Sequence, residues 1–217
     1  MKRIFYLAVT ILIAAGNIAS AQNADVVGGQ TSVLLDTDLL SAAAGLDLSG
    51  VSSDVGAGSL GDGSVAFDIN PRDAASLPTT FSYTVGDLSP FSGAIEHTGS
   101  VFFNNDTVEV GNFTIGFDAN RVAGANSGFF VESTTGVSAI LFDVADVSKV
   151  APTATALTVG GSLAVSPEFA SFLGDTGLTG ATVGLARVEG ISAIPEPSTA
   201  LAISLLGLCA VVRRIRH

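Results

Sequence analysis

Histidine and paired carboxylates are the residues in this chain whose chemistry could support catalysis. His97 is the one histidine between residues 22 and 195, and it directly follows Glu96. Adjacent side chains on a strand point to opposite faces, so Glu96 and His97 are not expected to share a site. A single histidine is also too few for the multi-histidine zinc sites of hydrolases. We therefore expect His97 to have a structural or surface role.

Other catalytic arrangements have little support in the sequence. The chain has no G-x-S-x-G motif, and its single cysteine, Cys209, lies near the C-terminus. Residues 22–195 include 19 acidic side chains, so a pair of carboxylates at glycosidase spacing stays an open alternative. Tryptophan is absent and Tyr83 is the one tyrosine in this range, which disfavours stacking on sugars. We expect no catalytic residues.

Calcium binding is a second alternative. Asp36 and Asp38 flank the start of a predicted helix, and Asp62 lies in the glycine-rich segment 56–63. Carboxylates in flexible loops are ligands that Ca²⁺ accepts. Asp38 is explained equally well as a helix N-cap and Asp62 as a turn residue. The sequence therefore assigns no metal ligand, and a calcium-dependent adhesion module stays an alternative.

Short strands are the elements that would position these residues. β-branched and aromatic residues alternate with polar ones over four segments, 81–85, 108–117, 137–144 and 182–188, which predicts strands there. Asn and Asp at positions 104–106 predict a hairpin turn. The chain has no long helical periodicity. These features predict a mainly β fold, specifically an antiparallel β-sandwich or jelly roll.

Two short helices interrupt the predicted strands. Ser166 as N-cap, Pro167 at the first helical position and Gly174 as terminator predict one helix. Asp38 as N-cap and Gly45 as terminator predict the other. Both are too short to change the fold class.

The N-terminal residues have the three parts of a secretory signal peptide. Lys2 and Arg3 form a positively charged region, and residues 4–15 are almost entirely apolar. Small residues then provide a site that signal peptidase accepts, so residues 1–21 are expected to be removed. A permanent first transmembrane helix is disfavoured because the apolar run is short. The predicted cleavage residues are Ala19, Ala21 and Gln22.

The C-terminal residues carry three features in a fixed order. A Pro-Glu-Pro triad comes first, an apolar run of about 14 residues follows over 199–212, and a basic cluster comes last. The run is shorter than the roughly 20 residues that comfortably cross a bilayer. Basic residues directly after it would hold the C-terminus in the cytoplasm. The triad and the cluster are Pro195, Glu196, Pro197, Arg213, Arg214 and Arg216.

This arrangement resembles the PEP-CTERM sorting signal of bacterial proteins that exosortase processes. The resemblance, over residues 191–217, implies that a short transmembrane helix anchors the protein in the inner membrane until exosortase cuts near the triad. It also implies release to the cell surface or the surrounding polysaccharide. Residues 22–190 would then be the secreted domain, and residues 189–194 are interpreted as a spacer before the signal.

Removal of both ends leaves a strongly acidic domain without cysteine. Residues 22–195 carry 19 acidic and four basic side chains, a net charge of about −15. Binding to nucleic acid is therefore disfavoured, and no disulfide can stabilise the domain in an oxidising compartment. We expect no cofactor other than the alternative calcium ion.

The expected function is that of a non-enzymatic cell-surface or matrix protein. The resemblance implies association with exopolysaccharide, and it implies that signal peptidase, exosortase and, transiently, the membrane are partners during export. The alternatives are a matrix polysaccharide hydrolase that uses an Asp/Glu pair and a calcium-dependent adhesion module.

Overall fold

The computed structural model describes residues 22–150 and 152–195, which form antiparallel strands and two short helices. The mainly β prediction is confirmed. The helices are α1 (Thr37–Ala44) and α2 (Pro167–Phe172). The strands are β1 (Asn23–Leu35), β2 (Leu48–Val51), β3 (Gly56–Ala57), β4 (Val65–Asp68), β5 (Ser82–Thr84), β6 (Phe91–Ser92), β7 (Ile95–Glu96), β8 (Ser100–Phe103), β9 (Val108–Ala123), β10 (Asn126–Gly136), β11 (Ala139–Val150), β12 (Ala156–Val165) and β13 (Thr182–Ala193).

All thirteen strands belong to one antiparallel sheet. Its main path runs β2-β8-β9-β10-β11-β12-β13-β1-β4-β3, while β5 joins β1 to β6 and β7 pairs with β9. Five of the six long strands, β9 to β13, are consecutive among the strands of the chain and adjacent in the sheet, and the sixth, β1, pairs with β13. Both edges of the main path, β2 and β3, are short, which limits pairing with other chains.

The sheet folds back on itself around an apolar interior. Beyond β4, Ile69 forms an isolated antiparallel bridge with His97, and the Asn70 amide donates to the Glu96 carbonyl over 2.8 Å. Glu96 belongs to β7, which pairs with β9. These bonds therefore connect the end of β4 to the part of the sheet that contains β9. Phe67 and Phe113, from β4 and β9, meet edge to face at 4.9 Å between ring centroids.

Two groups of buried apolar side chains fill the interior. The larger lies beneath both helices and the smaller surrounds the start of β1. The larger group is Leu40, Leu46, Phe67, Val101, Phe103, Val110, Phe113, Leu141, Phe142, Leu163, Val165, Phe169, Ala170 and Val183. The smaller group is Ala24, Val26, Ile69, Phe81, Tyr83, Leu88, Ile95, Leu157 and Val188.

The predicted helices are present, with one correction to a cap. Ser166 caps α2 by accepting from the Phe169 amide at 3.0 Å, and Pro167 is its first residue. Gly45 ends α1 in the left-handed conformation, also as expected. The N-cap of α1, however, is Asp36, whose Oδ1 accepts from the Leu39 amide at 2.9 Å. Asp38 was the wrong choice, because it already lies inside the first turn.

The predicted strands and hairpin turn are also found, with different bounds. Segment 108–117 lies within β9, and the turn before it has φ between 55° and 63° at residues 104–106. Segment 81–85 contracts to β5, and segment 137–144 shifts to β11. Residues 189–193 are part of β13 rather than a spacer, because they pair with β1 and β12.

The predicted signal peptide lies outside the described residues. So does the sorting signal from Glu196 onward, with its arginine cluster, while Gln22 and Pro195 are the first and last residues described. Within the described part of the chain, no helix has the length and apolar character needed to cross a membrane.

Candidate functional site

His97 is fully engaged inside the domain. Its side chain is 1% exposed, Nδ1 lies 2.9 Å from the Phe113 carbonyl oxygen, and Nε2 lies 2.7 Å from Thr31 Oγ1. A carbonyl only accepts, so Nδ1 carries the proton and Nε2 accepts from the threonine hydroxyl. Burial lowers the pKa of His97 to about 4, although the bond to Phe113 opposes this shift. The imidazole is therefore neutral near pH 7 and makes structural contacts in the interior.

Glu96 points away from His97, as strand geometry predicts. Its Oε2 accepts a 2.6 Å hydrogen bond from Thr114 Oγ1 on the neighbouring strand β9. The two adjacent residues thus bind different partners, and the structure does not bring them together in one site.

Arg121 joins three elements through two carboxylates. Its Nε lies 2.6 Å from Asp143 Oδ1 on β11, and its two terminal nitrogens lie 2.7 and 2.9 Å from the Glu168 oxygens at the start of α2. The hydrogen bonds from Arg121 lower the pKa of Glu168 to about 2. The guanidinium also lies 5.9 Å from the centre of the Phe130 ring. Glu168 therefore stays ionised at neutral pH and does not supply the proton that a glycosidase acid must donate.

Glu189 belongs to a second polar cluster that links distant strands. It accepts from Ser59 Oγ at 2.9 Å and from Gln30 Nε2 at 3.2 Å, and Arg187 lies 3.9 Å away. These hydrogen bonds, with the Ser59 contribution the largest, lower the pKa of Glu189. Sequence reasoning missed both clusters because their members are far apart in the chain.

The three aspartates considered for calcium do not converge. Asp36 caps α1, Asp38 is exposed in the first turn of that helix, and Asp62 is exposed in a turn before β4. Over residues 22–150 and 152–195, no group of three or more His, Cys, Asp or Glu side chains is arranged to hold a metal ion. The three aspartates therefore do not form one site.

The interior has little room for a ligand. Two apolar cavities of about 60 and 50 Å³ lie in the interior, the first beside His97 and Phe113 and the second beside Phe81 and Phe129. An apolar cavity that binds benzene has roughly 150 Å³. These two cavities are thus too small for a ligand of that size and are packing defects.

One feature of the outer surface is a group of three phenylalanines, which we name the aromatic end. Phe91 on β6, Phe117 on β9 and Phe129 on β10 have ring centroids 5.0 to 5.3 Å apart. Phe81 lies beneath them, 5.7 Å from Phe91. Phe117 is 41% exposed, so the group continues the core outward to solvent.

Strand alternation and one glycine create the aromatic end. Phe113, Ile115 and Phe117 share one face of β9, and the third extends beyond the enclosed interior. Gly128, at a bulge in β10 with φ of +89°, allows the close approach of Phe117. A Cβ at that position would lie 2.6 Å from the Phe117 ring and 2.8 Å from Val122. The alternation was visible in the sequence, but the exposure of its last member was not.

The aromatic end lies on the side of the domain from which the chain leaves. Ala193 near the end of β13 pairs with Asp25 on β1, Asp25 pairs with Ser82 on β5, and Ser82 pairs with Ser92 on β6. Ser92 is next to Phe91. The described chain thus begins and ends in adjacent strands, two strands from the aromatic end.

Comparison with family models, curated proteins and solved structures finds no match for this chain.

Proposed function

We propose that the chain is the precursor of an exported protein that exosortase processes and that acts, without catalysis, at the cell surface or in the extracellular matrix. The observation that carries this proposal is the pair of terminal signals. A charged and then apolar start ends in Ala19-Ser-Ala21, and the Pro-Glu-Pro triad at 195–197 precedes an apolar run and a cluster of arginines.

The position of the chain ends supports the proposal. Asp25 and Ala193 are paired neighbours, so the segments leading to residues 1–21 and from residue 196 leave the domain side by side. Both apolar segments can therefore enter one membrane without any rearrangement of β1 or β13. A domain with its ends on opposite sides would have to span the distance between them.

The state of the polar groups supports a non-enzymatic role. Both nitrogens of His97 are hydrogen bonded in the interior, and Arg121 forms ion pairs with the carboxylates of Asp143 and Glu168. Glu189 has a serine, a glutamine and an arginine around it. These groups stabilise the fold, which leaves them poorly placed for proton transfer to a substrate.

For the finer architecture, we propose a sandwich of the jelly-roll kind, made from one continuous sheet. The contact between Phe67 and Phe113 across the interior, and the bridge from Ile69 to His97, support two facing layers. Such a closed, acidic domain suits a surface or matrix component because it is soluble without disulfides.

Processing is tested by the intact mass of the protein from its native host. We expect a secreted species that begins at Gln22 and lacks the residues after the Pro-Glu-Pro triad. Glu196→Gln, which alters the triad but not the apolar run, is expected to shift most of the protein to the membrane fraction at full C-terminal length. The matched control, Glu168→Gln within the domain, should be secreted normally. If the Glu196→Gln protein is secreted at the mass of the processed unaltered protein, exosortase processing at the triad is contradicted.

The association with exopolysaccharide rests on the family resemblance alone and needs its own assay. We expect the secreted protein to co-sediment with polysaccharide from its host and to leave the polymer length unchanged. Shorter oligosaccharides would instead support the hydrolase alternative. Loss of co-sedimentation in EDTA, with recovery on adding Ca²⁺, would support the calcium-dependent module. Absence of co-sedimentation under all conditions contradicts the polysaccharide role.

A further inference from the structure

We propose that the aromatic end of the domain is a lipid-contacting face, which lies on the membrane surface while the C-terminal apolar segment is inserted. This inference rests on the proposed function, because it needs that insertion. It assigns a specific surface and a specific partner, the bilayer interface, to the anchored precursor.

The first support is the short connection between the domain and the apolar segment. The last described residue is Pro195, and the apolar run begins at residue 199. Four residues span at most about 14 Å when fully extended. Once residues 199–212 are in the bilayer, the end of β13 is therefore held within about 14 Å of the lipid.

The second support is the distance from that exit to the aromatic end. Ala193 is separated from Ser92, the neighbour of Phe91, by three strand-to-strand steps. Neighbouring strands lie 4.7–4.9 Å apart, so the distance is about 14 Å. The distance from the chain exit to the aromatic end thus matches the greatest length of the connection to the apolar segment. The aromatic end also lies on the side of the domain that this connection holds near the membrane.

The third support is the chemistry of this side of the domain. Apolar side chains are exposed both in the aromatic end and at the chain exit, where Ile191 is 59% and Ile194 is 37% exposed. The Val122 side chain, which like the Phe117 ring lies beside Gly128, is 56% exposed. Aromatic and aliphatic side chains are the ones that enter the interface of a bilayer.

The charges near this side do not prevent contact with neutral lipid. Asp25, the carboxylate in the pairing row, accepts from Ser82 Oγ at 2.6 Å and lies 3.6 Å from Arg72 Nε. Asp118, which follows Phe117, accepts from the Asn120 backbone and side-chain amides at 2.8 and 2.9 Å. Anionic lipid would still repel an acidic domain, so the face fits a zwitterionic surface best.

The absence of tryptophan from the whole sequence makes a clean test available. Phe117→Trp introduces one fluorophore at the aromatic end. Phe172→Trp is the matched control, because Phe172 is also exposed, at 54%, but lies on α2. Ala156, at the start of β12, pairs with Ile191 near the chain exit. The helix α2 follows Val165 at the other end of β12, nine residues and about 30 Å along the strand from Ala156.

The full-length chain with each substitution would be reconstituted in phosphatidylcholine vesicles whose acyl chains are brominated. Bromine quenches tryptophan that enters the interface. We expect at least a twofold loss of Trp fluorescence for Phe117→Trp and almost none for Phe172→Trp, given an insertion depth of roughly 5–10 Å for interfacial side chains. Val122→Trp is a second reporter that should behave like Phe117→Trp, and circular dichroism verifies that each variant is folded.

Two other outcomes overturn the inference and are distinguishable. If the protein co-sediments with the vesicles but the Phe117→Trp and Val122→Trp variants are quenched no more than Phe172→Trp, the tail inserts and the aromatic end does not touch lipid. If the protein does not co-sediment, membrane insertion fails, and the proposed sorting function fails with it.

Discussion

Replacing Arg121 with alanine is expected to lower the free energy of unfolding by about 3–5 kcal/mol. The reason is Asp143, whose side chain is 7% exposed and whose Oδ1 lies 2.6 Å from Arg121 Nε. Without the guanidinium, this carboxylate stays buried with its charge uncompensated. The midpoint of urea denaturation at pH 7, compared with that of the unaltered protein, measures the effect.

Two control variants separate the buried contact from the exposed one. Glu168 is 44% exposed, so Glu168→Gln removes an ion pair that solvent already screens and should cost about 1 kcal/mol or less. The double variant Arg121→Met with Asp143→Leu removes both buried charges and should recover most of the stability lost in Arg121→Ala. If Arg121→Ala costs no more than Glu168→Gln, the buried carboxylate is not what makes Arg121 important.

The helices show how far local sequence information reaches. The α2 cap could be predicted because a serine followed by a proline is typical of a helix start. In the structure the Ser166 hydroxyl accepts from the Phe169 amide. For α1, two aspartates two residues apart both had cap chemistry. The Asp36 carboxylate reaches the Leu39 amide, which fixes the boundary, and only the backbone path distinguishes it from Asp38.

The sheet shows where local information ends. Alternation predicted β9 and β13, whereas most of β1 could not be predicted, because a strand interrupted by Gly28 and Gly29 is weakly patterned. Its thirteen residues are held instead by pairing with β13, β4 and β5, which are distant in the chain. Strand bounds and the closing contacts of the sheet were therefore set by tertiary pairing.

The candidate sites follow the same division. The sequence predicted that Glu96 and His97 would not share a site, and in the structure they bind different partners. It did not indicate that Arg121 would meet carboxylates 22 and 47 residues away, or that phenylalanines from three strands would form one exposed group. Such clusters exist only once the sheet has curved. The terminal signals, in contrast, are linear motifs and need no fold to be recognised.

The stability of the domain is expected to decrease as the pH falls from 6.5 to 4, by about 3 kcal/mol in total through His97. Its pKa is 6.5 in the unfolded chain and about 4 in the folded domain, because burial disfavours the charged ring. Between these values the unfolded state binds more protons, so acid favours unfolding. Stability from this group is complete above pH 6.5. Urea denaturation at half-unit pH intervals measures the slope.

The pH range in which stability is lost distinguishes His97 from acidic residues whose pKa is lowered in the folded domain. Glu168, with a folded pKa of about 2 against an ordinary value of 4.5, contributes its own loss mainly below about pH 5. The slope between pH 6.5 and about 5 is therefore assigned to His97. His97→Gln keeps a side chain that can donate and accept but does not titrate, so it should be less stable at pH 7 and should lack this slope. An unchanged slope in His97→Gln would mean that a different group titrates. The imidazole that bonds Phe113 on β9 and Thr31 on β1 would then carry no pH-dependent share of the stability.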